Sequence, residues 1–410
     1  MSKSAPFSDA PTDAVIVSAC RSPIGRIRGA LSGVRADDLL AQAFDEAFQR
    51  SGLDDKSVFD EAFAGCANQA GEDNRNVARM AILLGGFDQS VPGVTLNRLC
   101  ASGLEAVVQA SRAIRVGEIQ ACLAGGVENM SRAPFVMEKP ATGFMVGAPQ
   151  VFDSSLGWRF PNPKMKKLLP LEQMGETAEN VVEEFSISRA DQDAFALASH
   201  EKALAAQEKG FFDDEMFSVS IPQRKKEDLV VDKDEGPRKD SSLEKLGKLR
   251  AAFREGGSVT AGNSSSLNDG SAALVVTSRA FAKERGLTIR ATIRGAASAG
   301  VNPRTMGIGP VPATQKVLKH IGLTVGDLDA VELNEAFAAQ SLAVIRSLEL
   351  DESIVNQHGG AIALGHPLGC SGARILTTLL SVLDRTDGNL GLATLCVGVG
   401  QGLSVVIERS

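Results

Sequence analysis

The sequence predicts a layered α/β fold with helices covering mixed sheets, on three observations. Short Val/Ile/Ala-rich runs alternate with longer amphipathic patterns along the 410 residues. One set of motifs occurs twice: Leu99-Cys100-Ala101-Ser102-Gly103 resembles Leu368-Gly369-Cys370-Ser371-Gly372, and Leu123-Ala124-Gly125-Gly126 resembles Leu395-Cys396-Val397-Gly398, both at an offset of about 270 residues. The offset drops to about 130 residues for Leu274-Val275-Val276 against Ser404-Val405-Val406, which places an insertion of about 140 residues in the first copy.

Taken in order, residues 1–13 are polar, contain Pro and Ser, and read as a disordered tail rather than a signal peptide. Residues 14–19 read as a buried strand, and 37–49 as a helix with Leu39, Leu40, Ala43, Phe44 and Ala47 on one face. Leu104, Val107, Val108 and Ile114 continue a helix directly after Cys100. The inserted segment holds Trp158, the Pro161-Asn162-Pro163 turn, a long polar helix over 189–209 and a charge-rich stretch over 224–248. It has the character of a lid or ligand-gripping subdomain. In the second copy, 314–320 and 335–348 are helical and 391–396 is a strand.

Apolar residues make up 43% and charged residues 23%, a globular balance, and a prior of about 150 residues per domain predicts two or three domains. With a net charge of −7, one Trp, no Tyr and no dense Lys/Arg run, nucleic acid is not an expected partner. An anionic substrate needs a local basic patch. The six cysteines lie in different segments with no C-x-x-C pair. That argues against a zinc site or a disulfide framework and for reduced thiols in a cytoplasmic compartment. No apolar stretch reaches membrane-spanning length, and the terminal Glu408-Arg409-Ser410 is not a peroxisomal address.

Candidates for chemistry are few. Cys100 sits at a strand-to-helix turn, where the first helix amides favour a thiolate. Cys396 precedes Gly398-Val399-Gly400, a turn that leaves bare backbone amides. Cys20, Cys66, Cys122 and Cys370 read as packing. His366, between Gly365 and Pro367, reads as a base, and His358 in the same Gly-rich region as either a base or a structural residue. His200 reads as solvated and His320 as a cation at a helix C-terminus. Asn334 either caps a helix or donates to an oxyanion. The turn Thr260-Ala261-Gly262-Asn263 is either an ordinary polar loop or a surface for a nucleotide-like ligand. Together the thiols, the imidazole and the bare amides point to acyl-thioester chemistry.

The joint occurrence of 97–103, 261–263, 334–337, 359–369 and 396–402 resembles the thiolase family, over essentially the whole chain from Val15 to Arg409. The resemblance implies two similar βαβαβαββ halves in a layered αβαβα arrangement, over 13–280 and 281–410, with a loop domain inserted in the first at 131–258. It implies acyl-CoA substrates, CoA or acetyl-CoA as co-substrate, no permanently bound cofactor, and a homo-oligomer, either a dimer or a dimer of dimers. By the same likeness Cys100 matches the acylated nucleophile, His366 its base, and Cys396 the second thiol, which moves a proton at the α-carbon of acetyl-CoA. Asn334 would hold an oxyanion-hole water, and the amides of Cys100 and Gly398 would form the other oxyanion hole. Arg238, Ala261 and Ser265 fall on CoA-binding positions, with Met174, Phe253 and Phe337 along the pantetheine path. Lys245, Ser266 and Gln173 depart from the serine, glycine and histidine usual at their positions, which bears on CoA grip and acyl-chain preference.

Stretches 65–76, 157–160 and 396–400 are similar to the 3-oxoadipyl-CoA thiolases within that family. This likeness implies cleavage of 3-oxoadipyl-CoA to succinyl-CoA and acetyl-CoA, with acetoacetyl-CoA or general short- and medium-chain 3-oxoacyl-CoAs as the alternative. A dicarboxylic acyl chain needs a distal cation, for which Arg28, Arg75, Arg132 and Arg159 are the candidates. A decarboxylating enzyme of the ketoacyl-synthase type has no use for the second thiol, Cys396. A non-catalytic CoA- or lipid-binding homologue has no use for the full set of reactive residues.

Overall fold

All eight side chains of β1 (Ala14–Arg21) are buried, as in a strand covered on both faces. The computed structural model describes residues 7–140, 143–144 and 147–410. The further strands are β2 (Glu61–Gly65), β3 (Gly93–Leu96), β4 (Ala121–Asn129), β5 (Asn268–Ser278), β6 (Ala291–Gly300), β7 (Ala330–Leu333), β8 (Leu390–Val397) and β9 (Gln401–Arg409). They lie side by side as β3-β2-β4-β5-β1-β6-β9-β8-β7, with the short strand Gly25–Arg26 paired to β5. Each half has the same order and the same pairing sense. β2 is parallel to β4 as β7 is to β8, and β4–β5 and β8–β9 are both antiparallel. Val355, bridged in parallel to Val331, stands where β3 stands in the first half. The halves meet at Val15↔Thr292 and Ile16↔Ala291. This is the duplication that the motif offsets predict.

The helices of eight or more residues are α1 (Ala36–Ser51), α2 (Val77–Leu84), α3 (Ser102–Arg115), α4 (Met174–Phe185), α5 (Arg189–Glu208), α6 (Pro310–Ile321), α7 (Ala338–Leu348) and α8 (Leu368–Thr386). Leu39, Leu40 and Phe44 of α1 pack with Val15, Leu123 and Val275, and Val317 of α6 and Val344 of α7 with Leu392 and Val406. Between them Leu104 and Val107 of α3 and Ile375 and Leu379 of α8 meet strands of both halves, among them Ile16, Leu274, Leu395 and Val405. The result is five layers, αβαβα. A helix buried all round, as α8 is as far as Leu383, belongs in such a central layer.

The N-terminal turns of α3 and α8 touch through glycines. A Cβ on Gly103 would lie 2.6 Å from the Gly369 carbonyl oxygen, and one on Gly126 would collide with the same atom. Gly126→Ala is therefore expected to cost about 3 kcal/mol, since backbone on both sides cannot retreat. Urea denaturation reads this out, and an unchanged midpoint would refute the contact.

Two expectations need correction. Residues 7–13 are ordered, because Arg279 and Arg294 are almost buried and take Asp9 and Asp13 as counter-charges at 2.8–3.5 Å. Residues 1–6 lie outside the described residues. The helix expected from 335 starts at Ala338, because 334–337 is not helical and pairs with the chain just beyond the inserted segment through Ser264↔Phe337 and the Ser265 N–H to the Ala336 carbonyl. That segment is pinned to the first half by fully buried Arg21, which contacts Glu215 at 2.5 Å and Asp234 at 2.8 Å. Among the described residues no helix is long and apolar enough to cross a membrane.

Candidate active site

Cys100 lies in the tight turn Leu99–Ala101, between β3 and α3. The turn is held locally. The Arg98 N–H donates to Ser102 Oγ at 2.9 Å, and the Ser102 hydroxyl donates to the Leu99 carbonyl at 2.7 Å. The Leu99 N–H donates to Asn97 Oδ1 at 2.9 Å, which supports the left-handed φ of 48° at Leu99. Cys100 remains partly exposed, yet burial pushes its thiol up to about 11, against the pull of the Gly398 N–H and its own N–H on the sulfur. The expected thiolate preference of a helix N-terminus is thus overturned, because desolvation outweighs the dipole. At neutral pH Cys100 is therefore a thiol.

Gly398 reaches Cys100 from the far end of the chain because β8 ends beside α3. A Cβ on Gly398 would meet Leu99 Cδ1 at 3.0 Å and Met174 Sδ at 3.9 Å. The turn continues through Val399 (φ 63°) and Gly400 (φ 81°), and a β-branched residue at positive φ is strained. Cys396, the penultimate residue of β8, is buried among Ala178, Val259, Met306 and Phe337. Burial, and secondarily a charge on Cys100, raise its thiol well above the ordinary range. Cys396 therefore feels a charge on Cys100 and keeps its proton.

His366 is buried two residues before α8. Its N–H donates to Asn268 Oδ1 at 3.0 Å, Nδ1 lies 2.6 Å from Ser371 Oγ, and Nε2 lies 3.4 Å from the Asn334 side-chain nitrogen. Burial, then the nearby Arg374 cation, push the imidazole down to about 3, so it is neutral at physiological pH. Asn334 caps no helix, since Phe337 holds the N-cap position of α7. The capping reading is therefore excluded. Among the described residues Asn334 Oδ1 has no partner.

The other histidines separate. His358 packs against Phe211, tilted, and Phe212, edge to face, at 5.0 and 5.9 Å between centroids, and reads as structural. His320 ends α6 as expected. His200, expected to be solvated, is buried, and burial followed by Arg238 lowers it to about 4; its Nδ1 accepts from the Arg238 N–H at 3.3 Å. The reason is that α5 turns polar residues inward, with Ser199 donating to Glu335 at 2.6 Å and Asp193 accepting from Asn263 at 3.0 Å.

His200 lines a cavity of about 310 Å³ together with Arg26, Arg238, Lys245, Ala261 and Ser266. Ser265 lies between two lining residues, Ser264 and Ser266. Phe253 and Phe337 meet edge to face at 6.2 Å, and the Phe253 ring lies against Gly175, next to Met174. Of the residues expected to bind a ligand, Arg238 and Ala261 line this cavity, while Met174, Phe253 and Phe337 belong to an apolar group outside its lining, with Met174 near Gly398. Gln173 holds the N-cap position of α4 without a side-chain cap bond. One potential metal-ligand group occurs among the described residues, Cys66, Asp73 and Glu128. Its carboxylates are occupied by backbone N–H groups, Glu128 by Ala67, Asn68 and Gly369, and Asp73 by Gln69 and Gly71. Asn268, Ser371 and His200 escaped sequence reasoning; only Ser371 carried a signal, as the repeat partner of Ser102.

Five layers built from a duplicated half, with two thiols and a neutral imidazole at the seam, define a thiolase-type acyltransferase. The family model "Thiolase, N-terminal domain" matches residues 14–280 and "Thiolase, C-terminal domain" matches 287–409. The chain belongs to the thiolase family, whose members use CoA substrates. It is 54% identical to a beta-ketoadipyl-CoA thiolase of Pseudomonas putida, over 97% of this chain and 99% of the relative. It is 51% identical, with the same coverage, to the 3-oxoadipyl-CoA/3-oxo-5,6-dehydrosuberyl-CoA thiolase of Escherichia coli K12. The crystal structure of the Bacillus anthracis acetyl-CoA acetyltransferase superposes with a TM-score of 0.92 at 43% identity, covering 98% of this chain and all of that one.

Proposed function

We propose that the chain cleaves 3-oxoadipyl-CoA with CoA to succinyl-CoA and acetyl-CoA, with Cys100 as the acylated nucleophile. The observation that supports the chemistry is that the Gly398 N–H pulls on the Cys100 sulfur while the Cys396 thiol responds to a charge there. His366 Nε2 takes the Cys100 proton as the sulfur attacks the 3-oxo carbon. The amides of Cys100 and Gly398 hold one developing oxyanion. A water on Asn334, with His366, holds the other. When the C2–C3 bond breaks, its electron pair leaves as the acetyl-CoA enolate, and Cys396 supplies the proton to C2. CoA then attacks the Cys100 thioester; its thiol proton restores Cys396, and the departing Cys100 sulfur recovers its own from His366. One well-placed donor to an oxyanion contributes about 3 kcal/mol.

The CoA nucleotide fits the basic cavity at Arg238, Ala261 and Ser265, with the pantetheine arm running past Phe253, Phe337 and Met174. The insertion over 131–258 serves as the gripping subdomain between halves 13–280 and 281–410. Of the four arginines considered for the distal carboxylate, Arg132 is committed to Glu72. Arg28 lies near Asp153, whose carboxyl is held down by Ser155 first and by Arg28 as well. Among the described residues Arg75 has no polar contact that ties it to the site. Arg159 donates to the carbonyls of Ser154 and Asn68 at 2.8 Å each, and the neighbouring Ala67 carbonyl takes the Asn97 amide at 3.0 Å beside the nucleophile turn. Arg159 is therefore our choice. The likeness to acetyl-CoA acetyltransferases favours a second reading, acetoacetyl-CoA as substrate. The exposed edge strand β3 and the apolar Met80, Leu83 and Leu84 of α2 suit a second copy of the chain in a cytoplasmic dimer or tetramer.

Steady-state thiolysis of a panel of 3-oxoacyl-CoAs tests the assignment. Expected is a kcat/KM for 3-oxoadipyl-CoA at least about tenfold above that for acetoacetyl-CoA, with Arg159→Ala erasing the difference. A preference for acetoacetyl-CoA would retire it.

A further inference from the structure

We propose that Ser371 is a positioning residue that holds His366 as the Nδ1–H tautomer and so keeps Nε2 bare toward the site. This rests on the reading of His366 as the base. Ser371 Oγ lies 2.6 Å from His366 Nδ1 and 2.8 Å from the Pro367 carbonyl oxygen. A hydroxyl carries one proton and a carbonyl can only accept. When that proton goes to Pro367, Oγ faces the imidazole as an acceptor and Nδ1 must donate.

The duplicated half offers an analogue in which the direction of the proton is unambiguous. Ser102 occupies the repeat position of Ser371, and its Oγ also bonds back to a carbonyl of the preceding turn, that of Leu99 at 2.7 Å. The second partner of Ser102 is the Arg98 N–H at 2.9 Å, which can only donate, so the Ser102 hydroxyl must accept from it and donate to the carbonyl. Ser371 likewise bonds back to a carbonyl of its own turn, that of Pro367 four residues earlier rather than three, with an imidazole nitrogen as its second partner in place of the amide. One serine shapes the nucleophile turn and its counterpart orients the base. Asn334 agrees, since its side-chain nitrogen, a donor, is the atom 3.4 Å from Nε2. The opposite arrangement needs the Asn334 amide turned over and a proton on the nitrogen that must accept one. Gly365, at φ 116°, and the Asn268 bond to the His366 N–H fix the backbone, leaving Ser371 to select the tautomer.

Nitrogen-15 NMR of the histidine-labelled enzyme, with His366→Asn to assign the signal, tests this on the unmodified site. Expected at neutral pH is a neutral ring protonated on Nδ1. Ser371→Ala should lose that preference, slow iodoacetamide capture of Cys100, and lower kcat about 100-fold with KM for CoA within about twofold. A proton on Nε2 in the parent enzyme would overturn the proposal. So would Ser371→Ala with the parent tautomer and turnover, even if His366→Asn were inactive. Full activity in His366→Asn would instead remove the reading of His366 as base, independently of its tautomer.

Discussion

Cys100→Ser is expected to lower thiolysis at least about 1,000-fold, although it changes one atom at a partly exposed position. The site offers a weak base, with the imidazole near 3, and a reluctant acid, with the thiol near 11. Proton transfer therefore has to accompany attack on the substrate rather than precede it. A serine hydroxyl is a far weaker acid than any thiol, so the same imidazole cannot strip it. The product would also be wrong. A thioester on Cys100 exchanges with CoA at little cost, whereas an oxygen ester would hold the acyl group. Thiolysis assays and intact-protein mass spectrometry after incubation with acetyl-CoA read both effects. A variant within tenfold of the parent would show that the nucleophile lies elsewhere.

The acidity of Cys100 also marks a limit of sequence reasoning. The strand-to-helix turn is visible in Asn97-Arg98-Leu99-Cys100, and the helix follows it as expected. How deeply the sulfur is desolvated depends on the packing over its turn, where Gly398 arrives from the far end of the chain, which no local pattern encodes. The layers were more legible. A strand buried on both faces, such as β1, appears as an unbroken apolar run, and α1 shows its stripe at the helical period. Duplication added what periodicity lacks, because matched motifs at one offset imply matched places in the sheet. Reading failed where polar residues form the contact. The inward face of α5, with Gln192, Asp193, Ser199 and His200, has the composition of a solvated helix, and only its partners Ser258, Asn263 and Glu335 reveal that it is an interface. The same blindness set the start of α7 too early, since 334–337 is drawn out of helix by Ser264 and Ser265.

Cys396→Ala is expected to separate the two halves of the reaction. Transfer of an acyl group between Cys100 and CoA moves protons among sulfur and nitrogen atoms and needs none at carbon. Breaking or making the C2–C3 bond needs one at C2, and Cys396 is the thiol that shares the site with the acylated sulfur. Because burial raises that thiol well above its ordinary range, it is protonated at neutral pH and can deliver a proton to an enolate. The variant should lose about 1,000-fold in thiolysis while Cys100 still exchanges acetyl groups with CoA within about tenfold of the parent rate. Isotope exchange between labelled CoA and acetyl-CoA measures the retained half, and 3-oxoacyl-CoA consumption the lost one. Equal loss of both would make Cys396 a packing residue that shapes the pocket, and loss of neither would move the proton donor to another group.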